Sequence, residues 1–339
     1  MKNEENEEEI IQNKKIFPII CLLGLILSLI GCGKDTAKDK TESTVIRLGI
    51  QPGVAVSEVS QYTGILENYL TEKGVELQYV EFTYGPPMVE SLAANEIDIA
   101  MLGNLPVFTG VSNGTDLKVI YLTLLTENGL NGIIAGTDSG IESIADLKGK
   151  NVGVPIGSAA HLALELILNT AGLTLDDVNM VNIAAADMAT SLSNKEIDAA
   201  TLWETNLTKA MLRSGGTLIA TSKSVMEDQT FAVASGNFLK NNPEMANYFV
   251  AGLIQVEDYI LENPKESVEG IVERTGDDAK AWDYVYGFSK ASGFTEDTYE
   301  TARLAKDFLQ RNDLIQNDYD YNDIFDQSYW DEAIKILEK

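Results

Sequence analysis

Three predicted helix starts in this 339-residue chain carry residue types that suit the binding of a small anion. They begin near Gly85, Asn104 and Ser158, each in a stretch rich in glycine, proline or serine. A helix start exposes backbone N–H groups that have no partner within the helix, and the helix dipole makes that end positive. Such an end can hold an anion without a counter-charge. The Ser158 hydroxyl can donate to a ligand or simply cap its helix.

A tryptophan and a histidine accompany these helix starts. Trp203 ends an apolar strand, where its ring can stack on a ligand, close a cleft or pack in a core. His161 lies three residues beyond Ser158 and can face a ligand or make a structural contact inside a lobe. One histidine and two cysteines offer no metal-ligand spacing, and no Ser/His/Asp triad stands out. We therefore predict no catalytic residue, metal or cofactor.

The charges near these positions restrict the ligand. No lysine or arginine stands at the relevant strand ends, whereas Glu127, Asp187 and Glu204 lie near them. A dianion would be disfavoured there by Coulomb repulsion. A monoanion held by N–H groups, a zwitterion whose ammonium meets Glu127 or Asp187, and a neutral heterocycle all remain possible. Asp187 can instead cap its helix, and Glu204 can stand in a first helical turn for the dipole.

An internal sequence repeat indicates how these residues are positioned. Residues 88–102 and 188–202 lie 100 positions apart and are identical at eight of fifteen places. Each copy has the pattern of a helix, a turn and a short apolar strand. One long repeat predicts two similar α/β lobes and not a solenoid. Ligands of open α/β sheets bind beyond the carboxyl ends of strands, so Asn104 and Trp203, which follow or end the two strands, should face a ligand.

The remaining pattern predicts an α/β fold with two βα lobes joined by two hinge strands. Strands and helices alternate from Val45 onward, which is typical of mostly parallel sheets, and helices dominate after residue 235. The chain is expected to cross between lobes near residues 127–130 and again at 229–235. The lobe boundaries that follow are 45–127 plus 236–339 for the first lobe and 128–235 for the second.

Residues 1–32 have the pattern of a lipoprotein signal. Two lysines precede an apolar run of about fifteen residues that ends at Gly31 and Cys32. That run is short for a transmembrane helix but suits a secretory signal. The small residue before Cys32 resembles a bacterial lipobox, which implies cleavage there, lipid on the thiol and an extracytoplasmic, membrane-anchored protein. Residues 33–44 would be a polar tether. The acidic start departs from the usual signal, and a plain membrane anchor is the alternative.

Composition and cysteine usage exclude some classes of partner and chemistry. A formal charge of −27 argues against nucleic acid, whose affinity comes from lysine and arginine. A hydrophobic content of 45% is ordinary for a globular chain with room for two domains. Cys21 would leave with the signal and Cys32 would carry lipid. The mature chain would then have no thiol for a disulfide, a metal cluster or a nucleophile.

An ordered set of short motifs resembles the solute-binding proteins of ABC importers for taurine, alkanesulfonates, nitrate and related small molecules. The resemblance runs from about Val45 to Glu262. The motifs are Phe-Thr-Tyr-Gly-Pro-Pro at 82–87, Glu-Ile-Asp-Ile-Ala at 96–100, Gly-Asn-Leu-Pro at 103–106, Asp-Leu-Lys-Gly-Lys at 146–150, Val-Gly-Val-Pro at 152–155, Gly-Ser at 157–158 with His161, and Leu-Trp-Glu at 202–204. The resemblance implies the type II periplasmic-binding-protein fold, whose lobes close on a ligand and then dock on permease subunits.

The resemblance also implies ligand contacts at Ser158, Trp203 and Gln51, the last lying just after the first strand. The arginine that taurine-type relatives place near the sulfonate is not evident here. The predicted ligand-binding set is Gln51, Gly85, Asn104, Glu127, Asn128, Ser158, His161, Asp187 and Trp203.

The expected function is that of a monomeric lipoprotein which captures a small organic anion or zwitterion for an ABC permease, with an aliphatic sulfonate or taurine favoured. Nitrate, bicarbonate and a pyrimidine or thiamine-precursor-like heterocycle are alternative ligands. An enzyme on the same fold is a further alternative, although related pyrimidine synthases use a cysteine cluster and a histidine-rich site that this chain lacks. A ligand-sensing protein that docks on a membrane receptor remains possible as well.

Overall fold

The computed structural model of the chain describes residues 44–339. The predicted signal, the lipid-bearing Cys32 and the tether up to residue 43 lie outside the described residues. Within 44–339, no helix has both the length and the apolar character needed to cross a membrane.

The described residues form strands, α-helices and several 3-10 segments, of which the longest is Ala279–Gly287. The strands are β1 Thr44–Ile50, β2 Val75–Glu81, β3 Ile99–Gly103, β4 Leu117–Leu122, β5 Leu125–Thr126, β6 Asn131–Ala135, β7 Asn151–Val154, β8 Asn179–Asn182, β9 Ala199–Trp203, β10 Thr217–Thr221, β11 Thr230–Ser235 and β12 Phe288–Ser289. The helices are α1 Ala55–Thr63, α2 Ile65–Glu72, α3 Gly85–Ala93, α4 Asn104–Ser112, α5 Ala159–Thr170, α6 Met188–Ser193, α7 Asn206–Ser214, α8 Gly236–Asn241, α9 Pro243–Glu262, α10 Pro264–Thr275, α11 Glu296–Arg311 and α12 Gln327–Leu337.

Two five-stranded sheets share one strand order. The first sheet runs β2-β1-β3-β11-β4 and the second runs β8-β7-β9-β6-β10. In each sheet the first three strands are parallel, and the fourth is antiparallel to both of its neighbours. Each fourth strand follows a crossing of the chain from the other sheet. This arrangement confirms the predicted class of two βα lobes, and each sheet with its helices is called a lobe below.

The second crossing ends earlier than the sequence pattern suggested. Strand β11 pairs with β3 and β4 of the first sheet, so residues 230–235 belong to the first lobe and not to the predicted second lobe. The crossing itself is the segment between β10 and β11. An apolar run identifies a buried strand, but it does not tell which sheet the strand enters, and this explains the misplaced boundary.

The repeated stretches adopt the same local geometry in both lobes. The Asp98 N–H donates to the Arg47 carbonyl at 2.9 Å, and its carboxylate accepts from the Arg47 N–H at 2.8 Å. Asp198 makes the same two bonds with Asn151, both at 2.8 Å. Each aspartate therefore fixes the strand that follows its helix beside a neighbouring parallel strand, which is β1 in the first sheet and β7 in the second.

Glycines at matching places in β1 and β7 allow the repeated stretch to pack closely against these strands in both lobes. A Cβ atom on Gly49 would lie 2.7 Å from Cδ1 of Ile97, and one on Gly153 would lie 2.6 Å from Cδ1 of Ile197. Contacts this short force neighbouring atoms to move. The repeat thus preserves a packing arrangement as well as a hydrogen-bond pattern.

A carboxylate is buried in the helical layer of the first lobe. Glu257 of α9 is fully buried, and the Tyr121 hydroxyl of β4 donates to its Oε2 at 2.6 Å. Burial raises the pKa of Glu257 to about 8, because the charged form loses its water; the bond from Tyr121 and the charge of Lys290 offset only part of that cost. The native protein therefore holds this proton over a pH range in which the unfolded chain has lost it.

Replacing Gly49 with alanine should destabilise the protein by about 1–3 kcal/mol through overpacking. Gly49→Ala combined with Ile97→Val should lose less than the sum of the two single losses, because valine lacks the Cδ1 atom that the new methyl meets. Urea unfolding of the wild type, both single variants and the double variant measures this coupling. Strictly additive losses would contradict the packing described here.

Glu257→Gln should remove a pH-dependent loss of stability. The pKa of this carboxyl in the folded state lies above its unfolded value of about 4.3, so its stabilising contribution is complete below that value and is lost as pH rises through about 8. The free energy of unfolding of the variant, relative to wild type, should therefore rise between pH 5 and 9. The total rise should be about 1.4 kcal/mol for each unit by which the pKa of Glu257 in the folded protein exceeds its pKa in the unfolded chain.

Denaturant titrations at several pH values test this expectation. Glu262→Gln, at an exposed position on the same helix, is the control for the loss of one carboxyl group. A Glu257→Gln profile parallel to that of wild type would show that the Glu257 carboxyl is ionised in the native protein.

Candidate functional site

A cavity of about 50 Å³ lies between the two lobes, at the carboxyl ends of β1, β3 and β9. Both lobes and both crossings contribute to its wall. The lining residues are Gln51, Gly53, Val54, Gly85, Gly103, Asn104, Pro106, Leu130, Asn131, Ser158, Ala159, Trp203, Glu204, Asp228, Gln229 and Thr230. The described residues that line the cavity include no lysine or arginine.

Glycines bring the walls of this cavity close together. A Cβ atom on Gly85 would lie 2.6 Å from the Pro106 ring, so glycine lets the starts of α3 and α4 approach each other. Gly53 has a φ of +93°, and a Cβ atom there would lie 2.7 Å from the carbonyl oxygen of Glu204 in the other lobe. At these positions a side chain would hold the two walls apart.

Six buried polar atoms of the wall have no hydrogen-bond partner within residues 44–339. They are Gln51 Oε1, Asn104 Nδ2, Asn131 Oδ1, Ser158 Oγ, Trp203 Nε1 and Gln229 Oε1. A buried polar atom without a partner costs about 1–3 kcal/mol, so most such atoms in proteins are paired. Their convergence on one cavity marks the place where a polar ligand would supply the missing bonds.

Three of these atoms belong to hydrogen-bond donors. Oδ1 of Asn104 accepts the Leu105 N–H at 2.7 Å, which identifies the unpaired atom of this side chain as its amide nitrogen. The Trp203 indole N–H can only donate. Ser158 is the N-cap of α5, yet its side chain makes no capping bond. Of the two alternatives for Ser158, the geometry therefore favours a hydroxyl that is available to a ligand.

The two carboxylates of the wall are already engaged within the protein. Asp228 accepts from the Leu130 N–H and from Asn131 Nδ2, both at 2.5 Å, and from the Ser222 hydroxyl. Glu204 accepts from the Thr208 hydroxyl at 2.9 Å and from its N–H at 3.2 Å. Burial raises the pKa of both carboxyls, and the donated bonds partly counteract that shift. Both carboxylates therefore hold the wall in place.

Five of the predicted ligand-binding residues line the cavity, and four do not. Those that line it are Gln51, Gly85, Asn104, Ser158 and Trp203. Those that do not line it are Glu127, Asn128, His161 and Asp187.

Three of these four side chains are exposed. Glu127 and Asn128 lie on the surface of the first crossing, and Asp187 is an N-cap that makes no side-chain capping bond. The crossing brings Asn131 to the cavity instead of Glu127. The geometry gives no support to a ligand contact by these three residues, which stays a prediction.

His161 makes a contact between the lobes. Its ring lies edge-on to Phe308 of α11, with 4.9 Å between ring centroids, and its Nδ1 accepts from the Gly157 N–H at 3.4 Å. Burial lowers the pKa of His161 to about 4, so the imidazole is neutral near pH 7. His161 therefore packs between the lobes and does not line the cavity, and a ligand contact by this residue stays a prediction.

Sequence reasoning missed Asn131, Asp228 and Gln229, which line the cavity from the two crossings. Asn131 opens β6, and Gln229 directly precedes β11. The sequence does contain an indication of these contacts, because a polar residue stands at or next to the start of each crossing strand and an apolar run follows it. Both strands enter their sheets beside β3 or β9, whose ends form the cavity.

Polar contacts join the lobes on both sides of the cavity. Lys209 of α7 pairs with Asp277 at 2.7 Å, and both side chains are largely buried. Glu165 of α5 pairs with Arg311 and accepts from Asn312 Nδ2 at 2.8 Å. These charged pairs thus lie around the cavity, while the unpaired atoms of its wall are neutral donors and acceptors. Within residues 44–339, no group of three or more His, Cys, Asp or Glu side chains could hold a metal ion.

The chain resembles known binding proteins in sequence and in fold. A candidate aliphatic sulfonates-binding protein of Bacillus subtilis (strain 168) is 27% identical over 323 residues, which is 94% of this chain and 96% of that protein. The alkanesulfonate-binding protein SsuA from Xanthomonas axonopodis pv. citri, solved with MOPS, has a TM-score of 0.77 at 19% identity and covers 84% of this chain and 99% of its own. These matches confirm the resemblance and the fold class expected from the sequence motifs.

The same fold also occurs in an enzyme. A mutant of the desulfurization enzyme DSZB, in complex with biphenyl-2-sulfinic acid, has a TM-score of 0.65 at 15% identity and covers 87% of this chain and 99% of its own. At this identity the likeness concerns the fold alone.

The family model described as NMT1/THI5 like matches residues 59–267, which is more than half of the chain. The match spans both lobes, both crossings and most residues of the cavity wall. The chain belongs to the NMT1/THI5-like family.

Proposed function

We propose that this chain is an extracytoplasmic solute-binding lipoprotein that captures a small organic anion or zwitterion of the aliphatic sulfonate or taurine type and delivers it to an ABC permease. The observation that carries this proposal is the set of six unpaired polar atoms that meet in one cavity between two lobes. The names of the Bacillus and Xanthomonas relatives, which refer to sulfonates, support the ligand class.

The size of the cavity supports a compact ligand. Its volume of about 50 Å³ is small beside the roughly 300–1,000 Å³ of sites for drug-sized molecules. A two-carbon sulfonate therefore suits the site better than a large heterocycle does. Nitrate and bicarbonate are also small enough for a cavity of this volume, and they remain alternative ligands.

The donors of the wall match a singly charged group with several oxygens. Asn104 Nδ2, the Ser158 hydroxyl and the Trp203 indole N–H can each bond to one oxygen atom. The starts of α4 and α5 add their dipoles at the same cavity. Neutral donors suffice for one delocalised charge, and a hydrogen bond to an ionised acceptor is stronger than one to a neutral acceptor. A dianion would meet Asp228 and Glu204 without any lining cation to offset them.

Capture followed by delivery requires the lobes to part and close. Ligand shifts the population toward the closed form only as far as it binds that form more tightly. The ligand would bridge Asn104 of the first lobe and Ser158 of the second, and it would therefore favour closure. We expect the chain to act as a monomer when it docks on its permease.

An enzyme remains the alternative, because DSZB shares the fold. The wall of the cavity supports binding over catalysis: its carboxylates are held by internal hydrogen bonds, and the histidine packs against Phe308 outside it. Conversion of a bound sulfonate to any product would show that the protein is an enzyme.

Ser158→Ala should weaken sulfonate binding about tenfold, the loss expected when a hydrogen bond to a charged group is removed. Because the Ser158 side chain makes no capping bond, the free energy of unfolding should stay near that of wild type. Calorimetry with taurine and ethanesulfonate and urea unfolding of the same variant provide the two readings.

Ser235→Ala is the matched control for this variant. Ser235 also stands at an N-cap, but its hydroxyl oxygen accepts the Phe238 N–H at 3.2 Å, and it does not line the cavity. Its loss should lower stability by about 1 kcal/mol and leave affinity unchanged. Normal affinity in Ser158→Ala would overturn the site, and failure of wild type to bind either compound would overturn the ligand class.

Cys32→Ala should release the protein from the membrane, since the proposed anchor is lipid on that thiol. Membrane and soluble fractions of the producing cells, compared by immunoblot, measure this change. Cys21→Ala lies within the proposed signal and should leave the protein in the membrane fraction. A Cys32→Ala protein that stays in carbonate-washed membranes would favour the plain membrane anchor.

A further inference from the structure

We propose that the ligand carries a hydrogen-bond donor, an ammonium or a hydroxyl, in addition to its anionic group, and that Asn131 and Gln229 select for that donor. This inference rests on the proposed function and specifies the chemical class of ligand. It follows from two buried amides of the cavity wall whose carbonyl oxygens have no partner among the described residues.

The first amide belongs to Asn131, which is only 3% exposed. Its Nδ2 donates to the Asp228 carboxylate at 2.5 Å, and its Oδ1 has no partner. Rotating the amide by half a turn would place Oδ1 against a carboxylate oxygen that offers no proton. The carboxylate therefore fixes Asn131 Oδ1 as an acceptor in the cavity wall.

The second amide belongs to Gln229, which is also only 3% exposed. Its Nε2 donates to Oε1 of Glu227 at 2.9 Å, and its own Oε1 has no partner. A carboxylate again determines the orientation of the amide, by the same reasoning as for Asn131. The cavity thus contains two oriented acceptors as well as the three donors of Asn104, Ser158 and Trp203.

A ligand that can only accept hydrogen bonds would not suit such a wall. Sulfonate and nitrate oxygens satisfy donors, but next to Asn131 and Gln229 they would leave the two carbonyl oxygens unpaired and repel them. A site with buried groups that are built to bond a substrate O–H or N–H rejects an analogue that lacks it. Asp228 and Glu227 accept from the two amides, and a negative charge on these carboxylates makes an ammonium the best match.

Three two-carbon sulfonates separate these possibilities without any change to the protein. Taurine carries an ammonium, isethionate carries a hydroxyl, and ethanesulfonate carries neither. In calorimetry with the purified chain, we expect taurine to bind at least tenfold more tightly than ethanesulfonate, with isethionate in between. Equal or tighter binding of ethanesulfonate would overturn this inference and leave the proposed function standing. Binding of none of the three would overturn both.

Gln229→Met tests the residue itself, because methionine keeps the length of the side chain and removes the oxygen. The affinity for taurine should fall about tenfold, while the affinity for ethanesulfonate should stay the same or improve. An equal loss for both ligands would indicate a merely structural role and overturn the assignment of Gln229. Gln255→Met, a partly buried glutamine of α9 that does not line the cavity, is the matched control and should change neither affinity.

Asn131 calls for a milder substitution, since its amide also holds the buried Asp228. In Asn131→Ser, the shorter side chain keeps a hydroxyl donor on the side of that carboxylate but places no oxygen at the position of Oδ1. We expect the ratio of taurine to ethanesulfonate affinity to fall about tenfold, whatever the change in overall stability. An unchanged ratio in a folded variant would remove Asn131 from the proposal.

Discussion

The buried carboxylate of Asp228 is the interaction on which the arrangement of the site depends. It stands at the end of the second crossing and accepts hydrogen bonds from Leu130 and Asn131 of the first crossing and from Ser222. A buried carboxylate without donors would be strongly destabilising, so these bonds are required wherever it is charged. They tie the two crossings to each other beside the cavity. The same carboxylate orients the Asn131 amide, and one interaction thus sets both the junction of the lobes and one acceptor of the site.

The duplicated architecture explains why the polar residues collect where they do. Each lobe builds its sheet from a parallel set, and one antiparallel strand arrives from the other lobe. The ends of β3 and β9 and the beginnings of β6 and β11 therefore meet at the junction. The paired bonds of Asp98 and Asp198 hold the repeated strands in matching positions in the two lobes. A cavity with one wall from each copy follows from this geometry, because ligands bind at the carboxyl ends of such strands.

Much of the fold could be predicted from the sequence, because the repeat and the alternation of strands and helices fix the two sheets. The residues that sit at strand ends or helix starts, such as Ser158 and Trp203, could be predicted for the same reason. His161 could not, since the rotation of α5 against α11 decides which way its ring faces. Asn131 and Gln229 were missed because their orientation depends on carboxylates that are brought near only by the fold. Asp187 was misleading, because the second copy of the repeat enters its helix through a short 3-10 turn, whereas α3 begins directly at Gly85.

We expect two sets of groups to affect closure of the lobes in different ways, the charged pairs around the cavity and the unpaired neutral groups of its wall. Lys209 with Asp277 and Glu165 with Arg311 join the lobes, and they would favour a closed form with any ligand. The polar atoms of the wall act in the opposite sense, since closure removes their water and leaves them unpaired unless a ligand bonds to them. Only a ligand that satisfies both the donors and the acceptors cancels that cost. Because the differential affinity for the closed form sets the extent of closure, the unpaired atoms would make closure selective for the correct solute.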